Sequence, residues 1–591
     1  MKIALASLVL LAASCASLPL FNDGASQPRG SPDLILFNAN VYTVDDAQPN
    51  AEAVAIRGDR IVAVGANATV RALAGSATRS VDLQGAMVLP GFNDAHTHFG
   101  NAVEWYFQVM LMHVDTQAEM LKRLGEATAR VPKGLWITGG DWGMVAAGRA
   151  GSQGRKDYEA FTPDLKAIDA VAPDHPVLFR RHDHSYFINS AGMRALRFDK
   201  AVSDAATGRY GRDAAGEFTG MLYGSVGELI DKQLPPMSHA QALIGAKGVV
   251  KELNRVGLTS IQDMSRVEAL SRQQLYHAHI ERSFTDVRIF SDLRERGELT
   301  VRVYAILPLR TWTGLDSAGI RPRSGDAWMS YGALKDLADS GFMLQPYADN
   351  PRYRGGWTFR MVDEASEEKQ IVDADRAGFD MTMHVIGDQA LRRTLDWYEA
   401  AIRANGPRAD RRQRAIHIWY AHPDDLARAG RMGLVADVQP SMLVERYEAV
   451  ARSLGPERAR WAHAYRTMID AGMRLVLSSD FPGTVNRLSF ASYNPLENMY
   501  MAVTRQDVHG QPPGGWHPEQ RITIDEAIRA YTINPAWASH EEPIKGSITV
   551  GKLADLVVLS KDIRSIPPQD LLKTEVRYTI VGGRIVHGGT P

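Results

Sequence analysis

The chain has 591 residues, 45% of them hydrophobic, and a formal net charge of -1. That length allows a large core, arranged as one big barrel with additions or as about two to four domains. The near-neutral, well-mixed charge gives no electrostatic basis for binding nucleic acid or an acidic membrane surface. The single cysteine, Cys15, excludes a cysteine zinc site, so any metal must be held by His, Asp, Glu or Lys.

The first residues, MKIALASLVLLAASCASLPL, read as a processing signal: Lys2 is the positive region, Ile3 to Leu11 the short apolar run, and Ala12-Ala13-Ser14 the small-residue cleavage zone. The run is too short to span a membrane as a helix. Cys15 sits where a bacterial lipoprotein carries its lipid, although Leu11 lies one place further from it than the usual lipobox pattern has it. Ordinary cleavage near Ala16 is the alternative. Residues 1–15 are assigned to the signal and 16–32 to a Pro-, Ser- and Gly-rich tether. The mature protein is expected to be exported, periplasmic or membrane-anchored, with membrane contact only through the lipid.

From about Asp33 the runs LILFNANVYTV, AVAIRGDRIVAVG and RSVDLQGAMVLP carry the β-branched and alternating residues of strands, with a turn at Arg57-Gly58-Asp59-Arg60. The C-terminal runs ITVGKLADLVVLS and VRYTIVGGRIVHGG echo them. Residues 33–88 and 545–591 are therefore expected to build one small β-sandwich; two unrelated β extensions are the alternative. Between them, short apolar runs (GLWITGG, HPVLFR, GLTSIQDM, VRVYAILPL, FDMTMHVIG, RAIHIWYAH, GLVADVQPS, RLVLSSD) alternate with helical patterns such as QALIGAKGVVKELNRVG and DEAIRAYTINPAWASH. The second of these opens on a capping box, Thr523 to Glu526. Repeated βα units favour an α/β fold with a closed parallel barrel over residues 89–544. An open doubly wound sheet is the rival, but no GxGxxG loop supports it.

Chemistry-bearing residues recur where these runs end. His96 and His98, in VLPGFNDAHTHFG, lie two apart, so an extended strand would turn both imidazoles to one face, where zinc, nickel, manganese or iron could bind. One HxH among 17 histidines is weak by itself. His384 follows FDMTM, His417 follows RAI, and Asp480 ends RLVLSSD. In a barrel the C-terminal strand ends converge on one face, so these five residues are expected to meet. No GxSxG elbow occurs, which argues against a serine hydrolase.

In these motifs the sequence resembles the amidohydrolase superfamily, specifically its amidohydrolase-3, YtcJ-like group. LPGFNDAHTH, HVIGDQA, RAIHIWYAHPDDLARAGRMGLVADVQP, LSSDFP, NPLENMYMAVTR and GSITVGKLADLVVL carry the resemblance over nearly the whole mature chain. It implies a distorted (β/α)8 TIM barrel with a β-sandwich from both termini, and an insertion of about 100–323 after the first barrel strand. It implies two divalent ions, zinc above all, one on His96 and His98 and the other on His384 and His417, bridged by a carboxylated lysine at Lys335. Here Asp339 is followed by Ser340 and then Gly341, where the family has Asp-Gly. An unmodified surface lysine, on a helix starting near Gly332, is the alternative reading of Lys335.

The resemblance further implies hydrolysis of a non-peptide carbon–nitrogen bond in a small molecule (N-acyl, N-formyl, carbamate or cyclic amide) by a metal-bound hydroxide, with Asp480 as a metal ligand and proton shuttle. Trp142, His184 and Tyr347 are the candidate substrate contacts; Asn189 shares the motif of His184, and Asp388 is expected to hold the His384 loop. Ester or lactone hydrolysis on the same site, or a non-catalytic ligand-binding surface lipoprotein, are the alternatives. A homo-oligomer is compatible with the sequence.

Overall fold

The computed structural model describes residues 30–112, 114–143, 161–181, 183–197, 207–266, 285–316, 319–339, 364–444, 447–482 and 492–589. Its centre is an eight-stranded parallel sheet whose spatial order follows the chain: Phe92–Thr97, Leu258–Met264, Arg302–Pro308, Met329–Leu337, Asp380–Val385, Arg414–His417, Val435–Val438 and Arg474–Leu477. We call these barrel strands one to eight. Buried on both faces, they read as apolar runs rather than alternating ones. Strand eight returns to strand one through a parallel bridge from Thr97 to Phe481, an Asp480 N–H bond to the His96 carbonyl (2.9 Å) and a His98 N–H bond to the Phe481 carbonyl (2.8 Å). The fold is thus a nearly closed (β/α) barrel.

The helices between strands follow their sequence signals. Helix His239–Arg255 opens on a Ser238–Gln241 capping box and packs its apolar face on helix Phe99–Trp105. The Thr523–Glu526 capping box is present, but the helical run behind it divides into Ile524–Ala530 and Ile533–Ala538. Pro535 has no N–H to continue the first helix, and Thr532 leaves the helical region at φ -129, ψ -87. The second of these helices reaches the barrel floor, where Gln262 Nε2 donates to the Pro535 carbonyl at 2.7 Å and Ala538 packs with Ala95, Val435 and Val476.

The insertion is shorter than expected. GLTSIQDM and VRVYAILPL are barrel strands two and three, pairing in parallel with strand one and with each other, so the insertion ends near Gly257 and not near Arg323. Conversely, GLWITGG and HPVLFR are not barrel strands. They supply Thr138–Gly140 and Leu178–Arg180 to a separate six-stranded mixed sheet, ordered Gly208–Arg212, Phe218–Gly224, Ser185–Ile188, Leu178–Arg180, Thr138–Gly140, Gln108–Met110. Gly139 and Gly140 are required there: a Cβ on either would lie 2.1 Å from the Val109 carbonyl oxygen or 1.8 Å from that of Arg180.

Strands from both ends of the chain form two further sheets. One is ordered Arg60–Gly65, Ala53–Arg57, Leu34–Phe37, Arg79–Asp82; the other Arg584–His587, Val576–Val581, Leu556–Leu559, Met87–Pro90, Asn40–Tyr42, Asn50–Ala51. Leu36, Val54, Ile56, Val88, Leu556, Val558 and Ile580 pack between them. Met87–Pro90 runs straight into barrel strand one, so this sandwich anchors the strand that carries His96. Arg302 of strand three and Asp555 complete the tie through a buried ion pair.

Candidate metal centre

His96 lies one residue from the end of strand one, and His98 follows the strand at the cap position of helix Phe99–Trp105. Their Nε2 atoms lie 3.2 Å apart. Asp480, just beyond strand eight, adopts φ 57, a left-handed conformation that aspartate tolerates better than most residues. This turn brings its Oδ1 to 3.4 Å from His96 Nε2 and 3.1 Å from His98 Nε2. Among the described residues these three form a group whose ligand atoms all lie within 4.8 Å of one another.

The other two histidines complete a contiguous cluster. The His417 ring is 5.5 Å from that of His96 and 4.6 Å from that of His384. His417 sits at φ 74 and Ile418 at φ 46. A β-branched residue there is strained, of order 1–3 kcal/mol, and the strain falls directly behind the imidazole. Asp339 accepts from the backbone N–H of Ile386 (3.0 Å) and Gly387 (2.9 Å) and lies 3.8 Å from His384 Nε2, so it fixes the loop that follows His384.

Lys335 is not on a surface helix. It lies on strand four, buried, in register with Thr382 of strand five, the strand that carries His384. Burial pulls its amine down to about 8, against the opposing pull of Asp480 and Asp437. Burial, and then the Lys335 charge and the neighbouring rings, push His96 well below the ordinary imidazole range. Burial takes His417 down to about 4 although Asp480 opposes it. Both rings are therefore neutral, and their nitrogens can offer lone pairs.

The donor set fits a cation. Asp480 Oδ1 is buried with no hydrogen-bond partner, and the Nε2 atoms of His96 and His98 face it at 3.4 and 3.1 Å. Buried lone pairs aimed at one another are costly unless a positive ion lies between them.

Beneath the histidines lies a polar layer that the sequence reading missed. Asp94 accepts from Ser479 N (3.0 Å), Ser479 Oγ (2.5 Å) and His96 N (3.1 Å), clasping strand one to the Asp480 loop, and burial pushes its carboxyl up to about 7. Asp263 accepts from Thr97 Oγ1 (3.1 Å) and Phe99 N (2.6 Å), holding the backbone on either side of His98. Arg414 donates to Ala95 O, Asp437 and Gln262 inside the barrel, and Gln439 Oε1 lies 2.7 Å from His417 Nδ1. One signal was available: polar residues gather where strands seven and eight end, Asp437 and Gln439 at one and Ser478, Ser479 and Asp480 at the other.

The substrate-contact candidates fare differently. Trp142 is a correction: its ring is fully buried in the insertion's own core, Nε1 donates to the Phe161 carbonyl at 2.9 Å, and it has no surface to offer a ligand. His184 is two-thirds exposed, and its Nδ1 lies 2.9 Å from Glu228. Neither makes a polar or ring contact with the histidine cluster among the described residues. Asn189 is spent on structure, accepting from Val177 N and Gly192 N and donating to the Ala172 and His175 carbonyls. Asp388 begins helix Asp388–Asn405, its Oδ1 accepting from Gln389 N. Tyr347 lies outside the described residues.

A family model, the amidohydrolase family, matches residues 79–587. The chain belongs to the amidohydrolase family. Over 98% of its length it is 30% identical to the protein LONG AFTER FAR-RED 3 of Arabidopsis thaliana, covering 96% of that protein. It is 28% identical to the N-substituted formamide deformylase of Arthrobacter pascens, covering 93% of this chain and 97% of the deformylase. The crystal structure of a metal-dependent hydrolase from Pyrococcus horikoshii shares the fold, with a TM-score of 0.64 and 20% identity over 90% of this chain and 99% of that one. As an amidohydrolase, the protein is a metal-dependent hydrolase, and His96, His98 and Asp480 form a group that could hold a metal ion.

Proposed function

We propose that this amidohydrolase cleaves a non-peptide carbon–nitrogen bond in a small amide, of the N-formyl or N-acyl type before carbamates and cyclic amides. The observation that carries the reading is the convergence of His96, His98 and Asp480 beside His384, His417 and the buried Lys335. The resemblance to an N-substituted formamide deformylase along nearly the whole chain supports the N-formyl class.

In this reading His96 and His98 would hold one divalent ion and His384 and His417 a second, with zinc as the expected metal. Such ions supply a Lewis acid for the carbonyl and make a water molecule acidic enough to attack near neutral pH. Lys335, buried on strand four next to the strand that carries His384, would serve as a carbamate, whose oxygens attract cations that an ammonium would repel. Its burial on a rigid strand fixes the position of that group. Asp480 accepts the proton of the attacking water and delivers it to the departing nitrogen. Its loop is fixed on both sides, by the Asp94–Ser479 clasp before it and the His98 N–H bond to the Phe481 carbonyl after it, so the carboxylate is held in place for the transfer. The leader implies that this chemistry takes place outside the cytoplasm, which fractionation of the source cells would test.

The test is a panel of N-formyl and N-acyl amines, with matched esters and lactones, incubated with zinc-loaded protein lacking residues 1–15. Release of amine, abolished in Asp480→Ala, supports the reading. Turnover of esters alone would move the activity to the oxygen analogues, and activity unchanged in Asp480→Ala would refute the role of that carboxylate.

A further inference from the structure

We infer that Gln439 is a positioning residue that fixes the tautomer of His417, so that the ring presents an unprotonated Nε2 to the centre. The inference rests on the metal reading above. His417 Nδ1 lies 2.7 Å from Gln439 Oε1. Taken alone the contact is ambiguous, because a carboxamide can be turned over and an imidazole nitrogen can donate or accept.

The next contacts remove the ambiguity. Gln439 Nε2 is 2.8 Å from Ser478 Oγ and 3.2 Å from Asp437 Oδ1. Ser478 Oγ also donates to Asp437 Oδ1, and Arg414 Nη1 donates to Asp437 Oδ2 at 3.2 Å. Arg414 is held in turn by the Ala95 carbonyl at 2.9 Å and Gln262 Oε1 at 2.6 Å. Arg414 can only donate, and its guanidinium beside Asp437 keeps that side chain a carboxylate whose oxygens accept. Turning the Gln439 amide over would press its oxygen against the Asp437 carboxylate. Oε1 must therefore face His417, Nδ1 must carry the proton, and the lone pair is left on Nε2.

All five side chains are buried, from 0% exposed for Gln439, Asp437 and Ser478 to 3% for His417. The order thus runs from a fixed cation, Arg414, through Asp437 and Gln439 to the ring. The same Arg414 holds the carbonyl of Ala95, next to His96, and so joins the two histidine pairs through one network. Groups behind a metal-bound imidazole commonly set its tautomer in this way.

The experiment uses protein with 15N-labelled histidine rings, prepared metal-free, with His417 assigned by its absence in His417→Gln. The expected wild-type spectrum is a single form protonated at Nδ1. Gln439→Met, similar in size but unable to accept a hydrogen bond, should give mixed tautomers and zinc affinity about 10–100-fold weaker. Asp437→Asn, which allows the amide to turn over, should give a mixture as well. A wild-type ring protonated at Nε2, or a fast-exchanging mixture, would overturn the inference. So would a Gln439→Met protein that only melts lower, with tautomer and zinc affinity unchanged. A His417→Gln protein that binds zinc as tightly as wild type would overturn the metal role of His417 while leaving a single Nδ1-protonated form standing, which separates the two failures.

Discussion

Asp555→Ala should destabilise the protein by about 3–5 kcal/mol, because it strips one partner from a buried ion pair and leaves the other charged. Arg302 Nε and Nη2 reach the two Asp555 oxygens at 2.5 and 3.0 Å, and Gly582 N donates to Oδ1 at 2.8 Å. The side chains are 1% and 5% exposed. Two charge-assisted bonds at about 1.5–3 kcal/mol each give about 3–6 kcal/mol, which agrees with the first figure. After the change Arg302 keeps the Ala327 carbonyl at 2.8 Å and the Trp328 ring at 4.5 Å, with Asp59 and Glu541 acting on it more weakly than Asp555 did. Asp555→Asn, which retains one acceptor, should lose about half as much.

The double variant Arg302→Met, Asp555→Leu decides the cause. It removes both charges and fills the space, so it should unfold within about 1–2 kcal/mol of wild type. The assay is urea unfolding followed by circular dichroism, comparing midpoints at the first transition and repeating the series at high salt, which screens buried pairs little. A double variant as unstable as Asp555→Ala would refute the argument, for the loss would then lie in packing rather than in an uncompensated charge.

Burial raises the Glu367 carboxyl to about 8, with Asp336 adding repulsion. The folded protein therefore keeps a proton that the unfolded chain releases above about 4.5, and this contribution to stability is full below that pH and lost as pH rises through about 8. Glu367→Gln should narrow the difference in melting temperature between pH 5 and pH 8, and an unchanged difference would count against the burial argument. Asp480→Asn keeps an oxygen ligand but no base, so zinc content should persist while kcat falls roughly 10²–10⁴-fold; undiminished turnover would contradict the shuttle role. Asp339→Ala frees the Ile386 and Gly387 N–H groups behind His384 and should weaken zinc binding roughly 10-fold or more, measured by competition with a chelator.

Strand ends were the legible part of this sequence. His384, His417 and Asp480 each stop a short apolar run, and the barrel does bring them to His96 and His98. Membership of a run in one sheet or another was not legible. GLWITGG and VRVYAILPL look alike as apolar segments between helices, yet one joins the insertion sheet and the other the barrel, because pairing partners lie far away in the chain. Lys335 could be read as a helical surface residue, because YGALKDLAD mixes helix formers with the alternation of a strand; Gly332 and the parallel neighbours on each side settle it as strand. Trp142 failed for a simpler reason, since an aromatic beside Gly-Gly fits a pocket wall and a core equally well. The Asp94–Ser479 clasp spans 385 residues and leaves no local mark.

Metal content of the protein lacking residues 1–15, with a high-resolution density map at Lys335, tests the central claim most directly. The account predicts two zinc ions per chain and additional density on Lys335 Nζ. No bound metal after incubation with zinc and bicarbonate would contradict it.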